Sequence, residues 1–396
     1  MSLKGKAAII GIGEVPSGKY PDRACIVSAV ESAFMAIKDS GIKPENLDMI
    51  IPTGTVYNAQ YNSEMLTGRM VEELGLTGSV KSNVQVFSGG SSSSTMLKIA
   101  AGLIETGSAE FILCLHSEKL ATGISSSQQG IDLFSTAGVS NEWEVPFGQH
   151  YSGVAALATQ RYKYETGTTD EQLAAVCVSN RKWAELNPNA MFRKPMTIEE
   201  VLSSKMLSRP VRAKQSNMLA DGGSAFVVTS AENAKKYTDK PVYLLGSGSR
   251  VTHFVYSQEP DLTRFGYAEA AKDAFDEAGL GPLDIDVMEI YDSYPIYQLI
   301  GFEQTGFCKR GEAGQLFLEG KTWPGSKYPV TTNGGMLSQG HTGAGGGVAM
   351  LVEGIRQLMG KADQRQVEGA RFAACTSTGG TYFDSFVTIL GTEIPN

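Results

Sequence analysis

Cysteine is scarce and scattered in this chain. There are five (Cys25, Cys114, Cys177, Cys308 and Cys375), an odd number with no C-x-x-C pair. That pattern argues against a disulfide frame and against a cysteine zinc site, and a reducing cytoplasm is the simplest expectation. Long apolar runs are missing too: none approaches the roughly 18 residues of a membrane-spanning helix. The opening Met1-Ser2-Leu3-Lys4-Gly5-Lys6 leads straight into an apolar run, so no signal peptide is expected. Positive charge is in deficit, with 34 Lys and Arg against 42 Asp and Glu and a net charge of −8. This argues against nucleic acid as the main partner. Charged residues make up only 19% of the chain and hydrophobic ones 42%. Such a composition describes a globular protein with a large core, and 396 residues are too many for one small domain.

What is present is an alternation of strand-like and helix-like stretches, which predicts α/β layers. Residues 7–13, 47–51, 84–87 and 110–115 read as strands. Residues 26–37, 65–74 and 95–106 read as helices, the last so apolar that burial on all sides is expected. The second half repeats the order of the first. Gly11-x-Gly13 is echoed by Gly246-x-Gly248, and Gly89-Gly90 by Gly334-Gly335. Gly41, Pro44 and Asp48 are echoed at the same spacing by Gly279, Pro282 and Asp286. Ala109-x-Phe111-x-x-Cys114 is echoed by Ala370-x-Phe372-x-x-Cys375. A double-width repeat with unequal loops is a duplicated α/β unit rather than a solenoid. The expected organisation is a first half of residues 1–118 with 220–240, a second half of 241–396, and an insertion of 119–219 that breaks the repeat.

One stretch stands out, Asn333 to Gly347, where seven glycines surround His341 and a helical pattern follows at once. Glycines let backbone approach a ligand closely, and a helix N-terminus offers unpaired N–H groups and partial positive charge. A histidine there suits a carbonyl oxygen that becomes negative during reaction; the plainer reading is a tight turn with a satisfied histidine. The repeat places the Gly89-Gly90 turn opposite, so two helix N-termini are expected to converge on one site. The insertion carries Arg193, Lys194, Lys205, Arg209, Arg212 and Lys214 against Glu199 and Glu200, a local basic patch on an acidic protein. It suits the phosphates of a nucleotide-like ligand, or it is a solvated surface. His116 and His150 flank the insertion and so could stand at a pocket entrance; the plainer reading of each is a surface or satisfied core histidine.

These residues resemble the thiolase superfamily over essentially the whole chain. The pattern NGG-x-x-x-x-GH-x-G-x-x-G stands at Asn333 to Gly346, and Asp221-Gly222-Gly223-Ser224-Ala225 is similar to that family's return from its loop domain. Tyr291-Asp292-Ser293-Tyr294 and the stretch from Glu303 to Glu312 resemble the sterol-carrier branch. Within it, the chain is similar to the thiolase-like subunit of benzoylsuccinyl-CoA thiolase. The resemblance implies a duplicated thiolase fold, a five-layer α-β-α-β-α double sandwich with an inserted loop domain that holds coenzyme A. It further implies a homodimer and a small zinc-ribbon/OB-fold partner subunit, with acyl-CoA as ligand, coenzyme A as substrate and no tightly bound cofactor. Arg193, Lys194, Arg209 and Arg212 are the expected CoA-binding side chains.

The departures from the family pattern decide the chemistry. Counting back from Gly107, the family's nucleophilic cysteine corresponds to Gly90, followed by Ser91 to Ser94. Its second cysteine falls near Ser377, unless Cys375 is displaced into the role, and its pocket asparagine or histidine is Tyr291. Only His341 of the usual set remains. A serine in place of the thiolate needs a base. The candidate catalytic residues are therefore His341, Tyr291, Tyr294, Ser91 and Ser377, with Gly90, Asn333 and Gly380 supplying the oxyanion contacts. The first expectation is thiolase-type acyl transfer to CoA that makes or breaks a carbon–carbon bond. The alternatives are a retro-aldolase that uses Tyr291 or Tyr294, and a non-catalytic acyl-CoA-binding scaffold. Segments such as Tyr57 to Tyr61 and Tyr294 to Tyr297 suit a bulky or aromatic acyl group, although tyrosines also pack in cores for no such reason.

Overall fold

The structure is a computed structural model and describes residues 2–55, 65–382 and 384–395. The segment Tyr57 to Tyr61 lies outside the described residues. The first half runs β1 (Ala7–Gly18), α1 (Cys25–Ser40), β2 (Met49–Pro52), α2 (Leu66–Glu73), β3 (Ser82–Asn83), α3 (Ser92–Glu105) and β4 (Phe111–Lys119). Next come α4 (Ser127–Gly138), α5 (Tyr151–Thr166), α6 (Asp170–Glu185) and α7 (Ile198–Leu202), then the two-stranded ribbon of β5 (Met206–Ser208) and β6 (Val211–Arg212). The chain returns through β7 (Asp221–Ser230) and α8 (Ala231–Ala234). The second half runs β8 (Val242–Val251), α9 (Tyr267–Ala278), β9 (Val287–Glu289), α10 (Pro295–Gln304), α11 (Ala313–Leu318), α12 (Gly335–Ser338), α13 (Gly345–Leu358), β10 (Phe372–Ser377) and β11 (Asp384–Gly391).

The strands form one nine-stranded sheet in the order β3-β2-β4-β7-β1-β8-β11-β10-β9. It is two copies of one topology joined edge to edge: β2-β4-β7-β1 matches β9-β10-β11-β8. The join is short, with Ala8 opposite Tyr243 and Ile9 opposite Val242. The duplication extends to single hydrogen bonds. Asp48 accepts from the backbone N–H groups of Glu110 (2.7 Å) and Phe111 (3.0 Å). Asp286 does the same for Arg371 (2.8 Å) and Phe372 (3.0 Å). Gly41 and Gly279 both end a helix in the left-handed conformation. Pro44 and Pro282 both open a single 3₁₀ turn. At Gly11 and Gly246 any side chain would run into the backbone of the covering helix, α1 or α9. The glycine echo seen in the sequence is therefore the same close helix-on-strand contact made twice.

The layers follow from the two faces of the sheet. One face of both halves packs on α3 and α13, with Ile9, Ile51 and Cys114 from the first half and Leu244, Ala373 and Leu390 from the second in a single apolar cluster. The opposite faces carry alanine-rich helices, Ala29, Ala33 and Ala36 of α1 and Ala270, Ala274 and Ala278 of α9, all buried. Small residues let these outer helices lie close to the strands. The result is five layers, with α3 and α13 in the middle. Two local expectations are corrected. The strand expected at 84–87 is reduced to Ser82–Asn83 with one isolated bridge from Val86 to Thr53, because this edge leaves the ladder after two residues. Helix α3 is not buried on all sides: Lys98 is exposed and Leu103 half-buried, since one stripe faces out of the central layer. Among the described residues no helix is long and apolar enough to cross a membrane.

Candidate active site

The two central helices meet with their N-terminal turns in contact. A side chain at Gly347, in the first turn of α13, would run into the carbonyl of Gly90, just before α3. Over this junction lies a cavity of about 930 Å³. Both glycine turns contribute to it, as do Tyr291, Ser293 and Tyr294 ahead of α10 and Thr378, Gly380 and Tyr382 after β10. The remainder of the wall comes from the segment between β4 and β7, with Ile124, Phe134, Tyr151, Met191, Phe192 and Leu207. The site thus has a backbone-rich floor and an apolar, aromatic roof.

His341 lines this cavity and is held at three points. Its backbone N–H donates to Met218 (2.6 Å), its carbonyl accepts from Ala220 (3.0 Å), and its ring Nδ1 accepts from the N–H of Gly343 (3.1 Å). An Nδ1 that accepts carries no proton, so the neutral ring bears its hydrogen on Nε2. Burial pushes the imidazole down to about 4, although the backbone hydrogen bond pulls the other way. His341 is therefore neutral near pH 7. Among the described residues its Nε2–H has no protein partner, and Phe134 packs edge-on against the ring with centroids 5.9 Å apart. Such a group is a hydrogen-bond donor to an oxygen in the cavity rather than a ready base.

Tyr291 occupies the position that matters most. Its hydroxyl lies against Gly90, where any side chain would collide with it and with the carbonyl of Thr378. The phenol thus fills the space that a side chain at residue 90 would need. Burial holds it well above the ordinary range of a phenol, with the neighbouring Tyr151 and Tyr267 hydroxyls adding to the effect. Tyr294 lines the same cavity; burial raises it as well, while hydrogen bonds with Ser216 and Ser152 act in the opposite direction. Ser152 in turn lies 3.2 Å from Nδ1 of His150, which also lines the cavity. Gly90 and Gly380 line it too. The backbone N–H of Gly380 has no hydrogen-bond partner among the described residues.

The other sequence candidates lie outside the cavity lining. Ser91 Oγ faces the carbonyl of Ser88 (2.7 Å) and the carboxylate of Asp384 (2.6 Å). Asp384 also accepts from Gly379, so this serine ties the first glycine turn to the loop after β10. Ser377 Oγ is 2.8 Å from Ser94 Oγ in a buried hydroxyl cluster with Thr388. Asn333 folds back on its own turn, accepting from Gly335 N–H at 2.7 Å. Cys375 is buried in mid-strand, and a side chain at Gly354 would meet its sulfur. Asp292 supports the turn from below, accepting from Met336 N–H (2.8 Å), Leu337 N–H (3.2 Å) and the Asn180 amide (2.7 Å).

None of the basic residues expected to bind CoA lines the cavity. Arg193 and Lys194 are exposed and follow the cavity-lining Phe192 directly; Arg209 is exposed two residues after Leu207. Arg212 braces its own loop through the carbonyl of Ser204 (3.2 Å). Lys19, which sequence reasoning did not single out, lines the cavity at its exposed rim. Tyr151 and Tyr382 were also missed. Tyr382 is buried, adopts φ of 66°, stacks on Tyr297 at 3.6 Å between centroids, and hydrogen-bonds with Ser293. Its one sequence signal is its place straight after Gly379-Gly380-Thr381.

Comparisons with known proteins bear on the family and the fold. A family model described as thiolase C-terminal domain-like matches residues 248–392. The chain is 31% identical to an acetyl-CoA acetyltransferase of Methanothermobacter thermautotrophicus, over 94% of this chain and 96% of the relative. It is also 31% identical to benzoylsuccinyl-CoA thiolase subunit BbsB of Thauera aromatica, over 96% of each. Among solved structures, the Ltp2-ChsH2(DUF35) aldolase superposes with a TM-score of 0.86 at 26% identity, over 98% of each chain.

Proposed function

The chain belongs to the thiolase superfamily, and from that premise we propose that it cleaves a carbon–carbon bond in a bulky acyl-CoA without forming an acyl-enzyme. The observation that carries this reading is the Tyr291 hydroxyl lying against Gly90. Where the family pattern has a thiolate, this chain has a neutral phenol and no room for a side chain on the main chain beside it. A retro-aldol reaction on a β-hydroxyacyl-CoA needs no nucleophile. It needs a donor to the thioester oxygen, an acceptor for the hydroxyl proton, and an acid for the released α-carbon.

Each role has a candidate. The His341 Nε2–H donates to the thioester oxygen as the Cα–Cβ bond breaks and the electron pair moves into the enolate. The N–H of Gly380 is a second donor of the same kind. The β-hydroxyl proton passes to the Tyr294 oxygen as that phenol releases its own proton, by way of Ser152, to solvent in the cavity. Tyr291, held neutral by burial, gives a proton to Cα and regains one from solvent, which balances the proton released at Tyr294. The products are a ketone or aldehyde and the shortened acyl-CoA, and no CoA is consumed. The aromatic roof and the cavity volume of about 930 Å³ suit a bulky, flat acyl group. The cationic side chains of Arg193, Lys194, Arg209 and Arg212 suit the phosphates of CoA. A small partner subunit, as in the Ltp2-ChsH2(DUF35) aldolase, completes the working assembly.

A second reading keeps thiolase-type transfer, with CoA itself attacking a β-keto group polarised by His341. The two relatives at 31% identity favour it. Purified protein with its partner, given a β-hydroxy and a β-keto acyl-CoA of one carbon skeleton, separates the two. Release of a carbonyl compound from the hydroxy substrate with no CoA consumed is expected. CoA-dependent cleavage of the keto substrate alone would replace the aldol reading with the transfer reading.

A further inference from the structure

A second buried histidine lies beneath His341 and has no part in the chemistry above. His116 sits in the middle of β4, with its ring under Gly345, where any side chain would collide with the imidazole. Its Nε2 is 2.7 Å from the carbonyl oxygen of Thr342. A carbonyl only accepts, so this Nε2 carries a hydrogen. Nδ1 of the same ring is buried and has no hydrogen-bond partner among the described residues. A buried ring nitrogen without a partner is a cost to the fold, which an apolar residue in this place would avoid.

The peptide group that receives the His116 hydrogen bond has a second engagement. The carbonyl of Thr342 and the N–H of Gly343 belong to one peptide plane, and that N–H donates to Nδ1 of His341 at 3.1 Å. One peptide therefore couples two imidazoles. Every donor in the chain points the same way: His116 Nε2–H to the carbonyl, Gly343 N–H to His341 Nδ1, and His341 Nε2–H into the cavity. Aligned hydrogen bonds polarise one another, by roughly 10–30% per bond.

We infer that His116 is a positioning residue which, through the Thr342–Gly343 peptide, fixes His341 as an Nε2–H donor and strengthens it toward the oxygen of a bound thioester. No proton moves along the chain. As His341 donates to a developing oxyanion its ring becomes more electron-rich, Nδ1 accepts more strongly from Gly343, and the carbonyl accepts more strongly from His116. Part of the negative charge is thereby spread to a group that never touches substrate. The inference rests on the reading that His341 faces the thioester oxygen, but the spectroscopic half of its test does not.

The full chain has four histidines, so ring-¹⁵N-labelled protein gives few signals, assignable by single replacements. In the unaltered protein, both His116 and His341 are expected to be neutral with the hydrogen on Nε2. His116→Leu is expected to move the His341 ring shifts toward a mixture of tautomers. It is also expected to lower kcat about five- to tenfold, with KM changed by less than about twofold. In His116→Gln the amide N–H can reach the same carbonyl, and it is expected to recover most of both. A His341 hydrogen on Nδ1 in the unaltered protein overturns the inference even if neither variant folds. So do His341 ring shifts that stay put in His116→Leu. Absence of activity on every acyl-CoA would sink the proposed function, while the ring shifts would still decide the role of His116.

Discussion

In the first half the turn before α3 and the first residues of that helix bring Ser91, Ser92, Ser93 and Ser94; in the second the turn before α13 brings His341. The two turns hold equivalent places in a duplicated topology, yet their side chains are used differently. Ser91 is tied to Ser88 and Asp384, and Ser94 to Ser377 and Thr388. What the first turn offers the cavity is backbone at Gly89 and Gly90, with the Tyr291 hydroxyl laid over it. The second turn offers an imidazole whose tautomer is set by its own loop. The duplication has thus kept two helix N-termini on one site while the reactive groups have moved to one side of it.

The sharpest way to break this comparison is to remove the groups that line the cavity. Tyr291→Phe deletes only the hydroxyl that replaces a nucleophile, and kcat is expected to fall about 10²–10⁴-fold in a carbonyl-release assay. A fall below about tenfold would leave Tyr291 as packing. His341→Ala is expected to cost about 10²–10³ in kcat, the usual cost of one oxyanion donor. If activity survived within about tenfold, His341 would lose its central place. A smaller effect sharpens the other side of the comparison. Ser91→Ala and Ser377→Ala each lose a buried hydroxyl contact, so stability is expected to drop by about 1–2 kcal/mol in denaturant titration. The kcat of each is expected to stay within about threefold. A collapse of kcat in either folded variant would return the serines to the chemistry.

The same buried imidazoles set a pH dependence of stability. Burial holds His116 and His341 down to about 4, below the ordinary value of 6.5. The unfolded chain then binds more protons between those two values, so stability is present above about 6.5 and is lost as pH falls toward 4. The midpoint of unfolding, followed from pH 7.5 to 4, is expected to fall through that window. The His341→Gln variant is expected to show a shallower fall. A midpoint that is flat throughout would mean that the rings are solvated. Smallest of all is the expected effect at the basic patch. Arg209→Ala with Arg212→Ala is expected to weaken CoA binding by a few-fold, as for partly exposed charge pairs, and unchanged affinity by calorimetry would remove the basic patch from the site.

Much of the fold was legible in the sequence because duplication constrains local chemistry twice. Gly11 and Gly246, or Asp48 and Asp286, repeat because each copy needs the same close approach and the same backbone acceptor. His341 was legible because a histidine among glycines before a helix has few structural reasons to be there. The short edge strand β3 was less so, since apolar alternation at 84–87 does not reveal where a ladder ends. Within the site, the roles of the serines were not legible. Four serines in a row look alike in sequence, and only the packing against Asp384 and Ser377 decides where each hydroxyl points. The meeting of Tyr291 with Gly90 joins positions 201 residues apart. Tyr151 and Tyr382 come from the inserted segment and from a short loop, where no periodicity marks a side chain as facing a cavity.

The central claim is that catalysis here proceeds without a covalent acyl-enzyme. Intact-protein mass spectrometry, on protein and partner quenched in acid during turnover of an aromatic β-ketoacyl-CoA or β-hydroxyacyl-CoA, tests it directly. The account predicts the unmodified mass at every time point while product accumulates. An acyl adduct on this chain that forms and decays with turnover, on Ser91, Ser377, Cys375 or any other residue, would contradict it.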